Sequence, residues 1–173
     1  TGSHEFYTNY VMNRKNSIIC LDVGHYHPTE SVAAKLSSYL AFGQEIMLHV
    51  SRPVRWDSDH VVILDEETEN IMKEIKRANA FDKVHIGLDF FDGTLDRSAA
   101  TILGARSAKL AIMKALLEPS MLLQEAELKE DFTKRITLME EIKSLPYSYV
   151  WDMYCDRYKM PGNDWYESYI REV

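Results

Sequence analysis

In this 173-residue chain, the side chains best suited to bind a ligand or to catalyse a reaction lie at positions 48–60. An apolar run brings His49 to the end of a predicted strand, and Asp57 and Asp59 follow in the loop beyond it. Residues i and i+2 of extended backbone point to the same side, so the two carboxylates can converge on one object. They repel each other unless a cation or a shared proton lies between them. For an isolated Asp-x-Asp pair, a solvated acidic loop is the simpler explanation.

Ligand-type side chains also stand at the ends of the neighbouring predicted strands. Asp22 ends the preceding strand, His25 follows it by three residues, and Asp89 ends the next strand. The carboxyl ends of parallel strands lie at one edge of a sheet, so we expect these side chains to share one rim with those of residues 48–60. This rim is where α/β proteins bind their ligands. Each of them alone has an ordinary structural explanation, such as helix capping by an aspartate.

Together, the six side chains predict a site for two divalent cations. Four carboxylates and two neutral imidazoles on one rim carry too much uncompensated negative charge for a purely structural cluster. An oxygen-rich donor set without thiolates favours Mn²⁺, Mg²⁺ or Co²⁺ over a structural zinc. Of these ions we expect Mn²⁺, with Mg²⁺, Co²⁺ or Zn²⁺ possible. The predicted metal ligands are Asp22, His25, His49, Asp57, Asp59 and Asp89.

The elements that position these residues alternate between helix and strand. Continuous apolar runs at 17–22, 45–50 and 83–89 predict parallel strands buried on both faces, with amphipathic helices between them. Asp22 and His49 lie 27 residues apart, and His49 and Asp89 lie 40 apart. A βαβ unit needs roughly 30 residues or more, so consecutive parallel strands joined by right-handed crossovers fit these spacings. The predicted order is α-β-α-β-α-β-α.

Local signals place the ends of the predicted helices. The first helix runs to about residue 15, Gly43 ends the second, and a long helix stops at Pro119. Residues 121–143 are typical of one further helix, and aromatic residues crowd positions 147–169, which favours burial over ligand binding. The predicted N-terminal caps are Ser3, Thr29, Asp65 and either Thr94 or Asp96.

The composition narrows the class of protein. Hydrophobic residues make up 46% of the chain and charged residues 27%, as in globular proteins, and the net charge of −7 argues against a nucleic-acid-binding surface. The chain has neither a membrane-spanning apolar run nor a signal-peptide pattern, so we predict a cytoplasmic protein. Cys20 and Cys155 lack CxxC spacing and are predicted to be buried, reduced thiols.

Three stretches carry a specific resemblance to a known family. They read CLDVGHYHPTE at 20–30, LHVSRPVRWDSDH at 48–60 and HIGLDFFD at 85–92. They resemble the L-rhamnose isomerases, which belong to the xylose-isomerase-like (β/α)₈ barrels, and the resemblance runs through essentially the whole chain. It implies a metal-dependent aldose–ketose isomerase that interconverts L-rhamnose and L-rhamnulose. We expect a small sugar as substrate, a homo-oligomer in the complete enzyme, and neither nucleic acid nor membrane as a partner.

The resemblance also implies how the ligands divide between two metal sites. The structural site takes Asp22, His49 and Asp89, with Asp22 placed to touch both metals. The catalytic site takes His25, Asp57 and Asp59. We predict that His25 and Asp89 are catalytic residues. Two cations that polarise the sugar carbonyl and its neighbouring hydroxyl need no redox cofactor, in agreement with the lack of a Gly-rich dinucleotide loop or P-loop.

The chain covers only part of the family's barrel. By this resemblance, its three predicted strands look like the last three of eight, and the family's additional glutamate ligand and substrate-side lysine would have no counterpart here. The fold expected is therefore α/β, the C-terminal part of a (β/α)₈ TIM barrel. Residues 1–119 would carry the metal ligands, and residues 120–173 would form a helical tail that packs on the barrel or on another subunit. We expect this portion to be inactive alone and prone to associate through uncovered strand edges.

Two other functions fit parts of the pattern. A metal-dependent phosphodiesterase of the AP-endonuclease type also uses Asp, Glu and His on a similar barrel, but it needs a basic groove for DNA. A non-catalytic fragment would act only as an assembly module through its aromatic tail. Core packing is the simpler role for Trp56, Phe90 and Phe91, and no role is assigned to His27, His60 and His85.

Overall fold

The computed structural model describes residues 3–55 and 58–172. In this part of the chain the predicted alternation of helices and strands is confirmed, and four further helices follow it. The strands are β1 (Ile19–Asp22), β2 (Ile46–Val50) and β3 (Val84–Leu88). The helices are α1 (His4–Met12), α2 (Val32–Ala41), α3 (Glu66–Arg77), α4 (Arg97–Leu116), α5 (Ser120–Leu128), α6 (Phe132–Glu141), α7 (Tyr147–Tyr158) and α8 (Trp165–Glu172).

The strands form one parallel sheet in the order β1-β2-β3. Asp22 pairs with His49 in the register of the first two strands, and His49 pairs with Gly87 in the register of the second two. In the described residues the strands are not buried on both faces, and burial of the second face stays a prediction for the complete barrel. Burial alternates along β1 and β2, because the main core covers one face while Cys20 and His49 lie on the more open one.

Three of the predicted helix caps are confirmed by side-chain hydrogen bonds. Ser3 accepts a hydrogen bond from the backbone N–H of Phe6, Asp65 from that of Thr68, and Asp96 from that of Ala99. These bonds satisfy backbone donors that have no partner inside the first helical turn.

Two of the predicted helix boundaries are wrong by a few residues. The N-cap of α2 is Ser31, whose Oγ accepts from the N–H of Ala34 at 3.2 Å, and not Thr29, which binds the side chain of His27 instead. Helix α1 ends at Met12, before the predicted end near residue 15. Gly43 follows α2 with φ +74°, a left-handed conformation that glycine adopts without a steric penalty, as predicted for a helix end.

The single helix predicted for residues 121–143 is two helices. Helix α5 ends at Leu128, Glu130 adopts a positive φ of 57°, and Asp131 then caps α6 by accepting from the N–H of Lys134. The helical spacing of the apolar residues continues across this break, so hydrophobic periodicity alone did not reveal it.

The chain forms two compact units, Thr1–Ile112 and Met113–Val173. The core of the first unit is built from the sheet and the apolar faces of α2 and α3, including Leu21, Leu36, Leu48 and Ile75. In the second unit Trp151 and Cys155 of α7 are buried. The burial predicted for the aromatic tail holds for Trp151 but not for Tyr149, Tyr158 or Tyr166, which are exposed.

The two cysteines have different surroundings. Cys155 is buried, as predicted, whereas Cys20 is exposed on the open face of the sheet, so the prediction of a buried thiol is wrong for Cys20. Both are free cysteines. None of the described helices combines the length and the apolar character that crossing a membrane requires.

Candidate metal centre

Parallel pairing brings three of the predicted ligands to one edge of the sheet. Asp22 is the last residue of β1, and its register partner in β2 is His49. Asp89 directly follows β3 and donates its backbone N–H to the carbonyl of Val50 at 3.3 Å, which extends the ladder by one residue. The carboxyl ends of all three strands therefore meet at the same rim, as the sequence spacing predicted.

The first cluster at this rim consists of Asp22, His49 and Asp89. Nδ1 of His49 lies 3.2 Å from Oδ2 of Asp22 and 3.0 Å from Oδ2 of Asp89. One candidate ligand atom from each residue lies within 4.8 Å of the other two. Two carboxylate oxygens and one imidazole nitrogen thus face a common point.

The second cluster consists of Asp22, His25 and Asp59. A 3₁₀ turn over Val23–His25 directly follows β1 and keeps the His25 ring close to the end of that strand. Nε2 of His25 lies 3.5 Å from Oδ2 of Asp22 and 3.7 Å from Oδ2 of Asp59. Asp22 therefore belongs to both clusters.

The loop that carries Asp59 is closed by backbone hydrogen bonds. Arg52 and His60 exchange two of them, at 2.9 and 3.1 Å, which brings the two ends of the loop side by side. Ser58 donates its N–H to the carbonyl of Gly24 at 3.0 Å, and the carbonyl of Asp59 accepts from Phe91 at 3.1 Å. These bonds tie the loop to the chain segments that follow β1 and β3.

The electrostatics of the rim are those of converging carboxylates. Burial raises the pKa of Asp22, and repulsion from Asp59 raises it further, while His25 and His49 act in the opposite direction. The Asp22 side chain is only 15% exposed, so solvent screens its charge weakly. A cation would relieve this repulsion.

The donor chemistry fits divalent metal ions. Each cluster offers two carboxylate oxygens and one imidazole nitrogen, and neither includes a thiol. Hard oxygen donors with imidazole suit divalent cations such as Mn²⁺. Among the described residues, each cluster is therefore a group that could hold a metal ion, and the two clusters share Asp22.

The remaining residues singled out in the sequence have varied positions. Asp57 and Trp56 lie outside the described residues, so Asp57 stays a predicted ligand. Phe91 is 72% exposed, and its predicted core role is wrong, whereas Phe90 is half-buried against Gly104 of α4.

The three histidines without an assigned role contact polar side chains elsewhere. His27 contacts Thr29, His60 contacts Asp92, and His85 contacts Glu45. None of these histidines belongs to either cluster found among the described residues.

Sequence reasoning missed two residues inside the rim. Ser51 is 2% exposed, and its Oγ lies 3.1 Å from Oδ1 of Asp59 and 3.3 Å from Oδ1 of Asp22. The backbone N–H of Gly24 donates to the Ser51 Oγ at 2.7 Å. The position of Ser51 two residues after His49 was a usable signal, because i and i+2 in a strand face the same side.

Comparison with known proteins places the chain in one family. The profile of the family described as L-rhamnose isomerase (RhaA) matches residues 1–173. The chain is 52% identical over 176 residues to the L-rhamnose isomerase of Citrobacter koseri, in an alignment covering 99% of this chain and 42% of the relative. The L-rhamnose isomerases of Escherichia coli K12 and Salmonella paratyphi B give the same identity and coverage. The chain therefore spans 42% of the length of these curated relatives.

Proposed function

Because the chain belongs to the L-rhamnose isomerase family, we propose that it supplies a metal-binding rim to an enzyme that interconverts L-rhamnose and L-rhamnulose. The reaction class is the intramolecular transfer of hydrogen between C1 and C2 of an aldose and its ketose. The family points to a divalent cation requirement, and the chain carries residues able to meet it.

The observation that carries this proposal is the pair of clusters that share Asp22. A reaction that moves hydrogen between adjacent carbons needs the carbonyl and the neighbouring hydroxyl to be held and polarised together. Two donor sets side by side, bridged by one carboxylate, provide the spacing for that task.

We assign Asp22, His49 and Asp89 to one cation, and Asp22, His25, Asp57 and Asp59 to the other. Divalent cations held by these residues would supply Lewis-acid polarisation of the sugar carbonyl and its neighbouring hydroxyl. We propose Mn²⁺ as the working ion, with Mg²⁺, Co²⁺ and Zn²⁺ as alternatives, since the donors are oxygens and imidazoles.

His25 and Asp89 are the proposed catalytic residues. Their side chains are 54% and 58% exposed, against 15% for Asp22, so a sugar entering the rim can reach them. Converting the aldose into the ketose removes a proton from the C2 hydroxyl and adds one to the oxygen at C1. The exposed carboxylate of Asp89 is chemically suited to accept and return that proton.

We further propose that the three parallel strands are part of a (β/α)₈ barrel, and that residues 1–173 alone do not suffice for catalysis. The chain spans 42% of its relatives, and among the described residues β1 and β3 each pair with one neighbouring strand only. A closed barrel needs a partner at both edges of every strand. A homo-oligomeric enzyme located in the cytoplasm stays our prediction from the sequence.

The alternatives considered from the sequence have no support in the comparisons. The matched family and relatives are isomerases and not phosphodiesterases. A role as a non-catalytic assembly module is likewise not favoured by any relative found here.

The proposal is tested by replacing His25 in the full-length protein, with His27 as a matched control two residues away. Losing a residue that only supports a metal ligand weakens metal binding about 10-fold to 100-fold. His25 is a proposed direct ligand, so His25→Ala should weaken Mn²⁺ binding by at least this much. Formation of L-rhamnulose should fall in parallel. His27→Ala should leave both nearly unchanged, because His27 is exposed and binds Thr29.

Two measurements check this outcome. Protection against thermal unfolding by added Mn²⁺ reports metal binding, and a ketose assay on L-rhamnose reports turnover. Full Mn²⁺ protection and full turnover in the His25→Ala protein would contradict the assignment of the second cluster.

A further inference from the structure

The two clusters at the rim use the outer oxygens of Asp22 and Asp59. Oδ2 of Asp22 faces both His25 and His49, and Oδ2 of Asp59 faces His25. The inner oxygens, Oδ1 of each carboxylate, point the other way, toward Ser51 and Gly24. In each carboxylate, one oxygen therefore faces the histidines of the clusters, and the other contacts the hydrogen-bond donors beneath them.

The hydroxyl group of Ser51 lies between the inner oxygens. It has a single proton, and the shorter of its two carboxylate contacts is the one to Asp59, at 3.1 Å. The inner oxygen of Asp22 has a second donor in the N–H of Gly24, at 3.2 Å. That N–H also reaches the Ser51 Oγ, at 2.7 Å, so one compact set of donors serves both inner oxygens.

The packing around Gly24 leaves no room for a side chain at that position. A Cβ atom at Gly24 would lie 1.9 Å from Oδ1 of Asp59 and 2.7 Å from the Ser51 Oγ. Ser51 itself is 2% exposed. Its hydroxyl group therefore has little access to bulk water as an alternative partner, and a buried hydroxyl that lost its partners would be destabilising.

From this geometry we propose that Ser51 is a positioning residue, which holds the inner oxygens of Asp22 and Asp59 so that their outer oxygens stay turned toward the shared cation sites. The inference rests on the proposed metal-dependent function. Ser51 acts through the two carboxylates and does not itself touch the substrate. Gly24 takes part by supplying a backbone donor and by leaving the space that Asp59 occupies.

The test compares Mn²⁺ affinity in the full-length protein and its Ser51→Ala variant, followed by the electron paramagnetic resonance signal of free Mn²⁺. Ser107→Ala is the matched control, because Ser107 is also a buried serine but lies in α4 outside both clusters. Ser51→Ala should lower the affinity about 10-fold or more, the usual effect of losing a group that orients a ligand. Ser107→Ala should leave the affinity unchanged, whatever it does to thermal stability.

A second pair of variants separates the hydroxyl group from packing. Ser51→Thr keeps a hydroxyl group, and Ser51→Val has nearly the same shape without one, so any steric effect is shared. The Val protein should bind Mn²⁺ about 10-fold more weakly than the Thr protein. This comparison decides the matter even if the Ala protein fails to fold.

The outcomes distinguish this inference from the function on which it rests. If the unsubstituted protein binds no Mn²⁺, the proposed function and the role of Ser51 both fall. If it binds Mn²⁺ and the Val and Thr proteins bind it equally well, the role of Ser51 alone is overturned. A loss of affinity confined to the variants without the hydroxyl group supports both.

Discussion

At the scale of single residues, Asp22 links the two halves of the candidate metal centre. It ends β1, caps the 3₁₀ turn through the N–H of Gly24, and faces both His25 and His49. Burial and the nearby Asp59 raise the pKa of Asp22, so its ionised form is disfavoured in the fold. In the protein without metal, the surroundings of Asp22 therefore favour a neutral group over a carboxylate.

The raised pKa of Asp22 predicts the effect of Asp22→Asn on stability. Between the ordinary carboxyl pKa and the raised pKa of folded Asp22, the native state binds more protons than the unfolded state, so stability falls as pH rises through that window. At pH values above this window, the ionised Asp22 still destabilises the native state. Asparagine has no charge and therefore removes this destabilisation. Without metal, Asp22→Asn should therefore raise the midpoint of thermal unfolding at pH 7, and the difference should shrink as the pH falls through the window.

Added Mn²⁺ should reverse the order of the two proteins. The unsubstituted protein should gain thermal stability from the ion, whereas Asp22→Asn should gain little, since both clusters lose their shared carboxylate. Asp82→Asn, at an exposed turn before β3, is the control and should behave like the unsubstituted protein. A metal-free Asp22→Asn protein that melts below the unsubstituted one at pH 7 would show that the raised pKa does not govern its stability.

At the scale of elements, one side chain joins α2 to α3. Oε1 of Glu67, in the first turn of α3, accepts from the backbone N–H groups of Val32 and Ala33 at 2.5 and 3.0 Å. The hydroxyl group of Ser31 also donates to Glu67. A carboxylate at a helix N-terminus satisfies free donors and interacts favourably with the helix dipole.

Removing this carboxylate should destabilise the protein measurably. Glu67→Ala should lower the free energy of unfolding by about 1–3 kcal/mol, because two charge-assisted hydrogen bonds from the backbone of the buried residues Val32 and Ala33 are lost. Glu67→Gln, which keeps an acceptor without the charge, should cost less. Glu66→Ala, an exposed acidic residue in the same turn of α3, should be close to neutral. Urea unfolding followed by circular dichroism measures all three, and equal losses for Glu66→Ala and Glu67→Ala would refute the capping role.

At the scale of the whole molecule, the sheet has two outer strands whose outer edges have no strand partner among the described residues. Ile18, just before β1, and Leu88, at the end of β3, are exposed apolar residues at those strands. Open edges with apolar side chains favour pairing with other chains. The same strands would be covered inside the barrel proposed above.

Residues 1–173 on their own should therefore associate and should not convert L-rhamnose. Light scattering after size-exclusion chromatography should show species larger than one chain, and a ketose assay should show no turnover. Co-expression with the remainder of the isomerase should restore a defined assembly and activity. A purified chain that is monomeric, unfolds cooperatively and isomerises L-rhamnose unaided would overturn the proposed need for further strands.

Much of this architecture was determined by the sequence alone, because it depends on signals between near neighbours. Apolar runs marked the three strands, and Ser3, Asp65 and Asp96 marked helix starts by a side chain that bonds only three residues ahead. The polar residues at the strand ends were equally visible. Asp22 and His49 each end a predicted parallel strand, so the sequence placed both at the same edge of the sheet. The structure then pairs them in register.

Only the tertiary structure decided how the rim is arranged in detail. The contact between Ser51 and Gly24, the outward position of Phe91 and the exposure of Cys20 depend on how segments that are distant in the chain pack together. The break between α5 and α6 at Glu130 depends on a backbone conformation that the apolar pattern does not encode. Hydrophobic periodicity says which face of an element is apolar, but not which partner covers it, and that choice is made only when the whole chain packs.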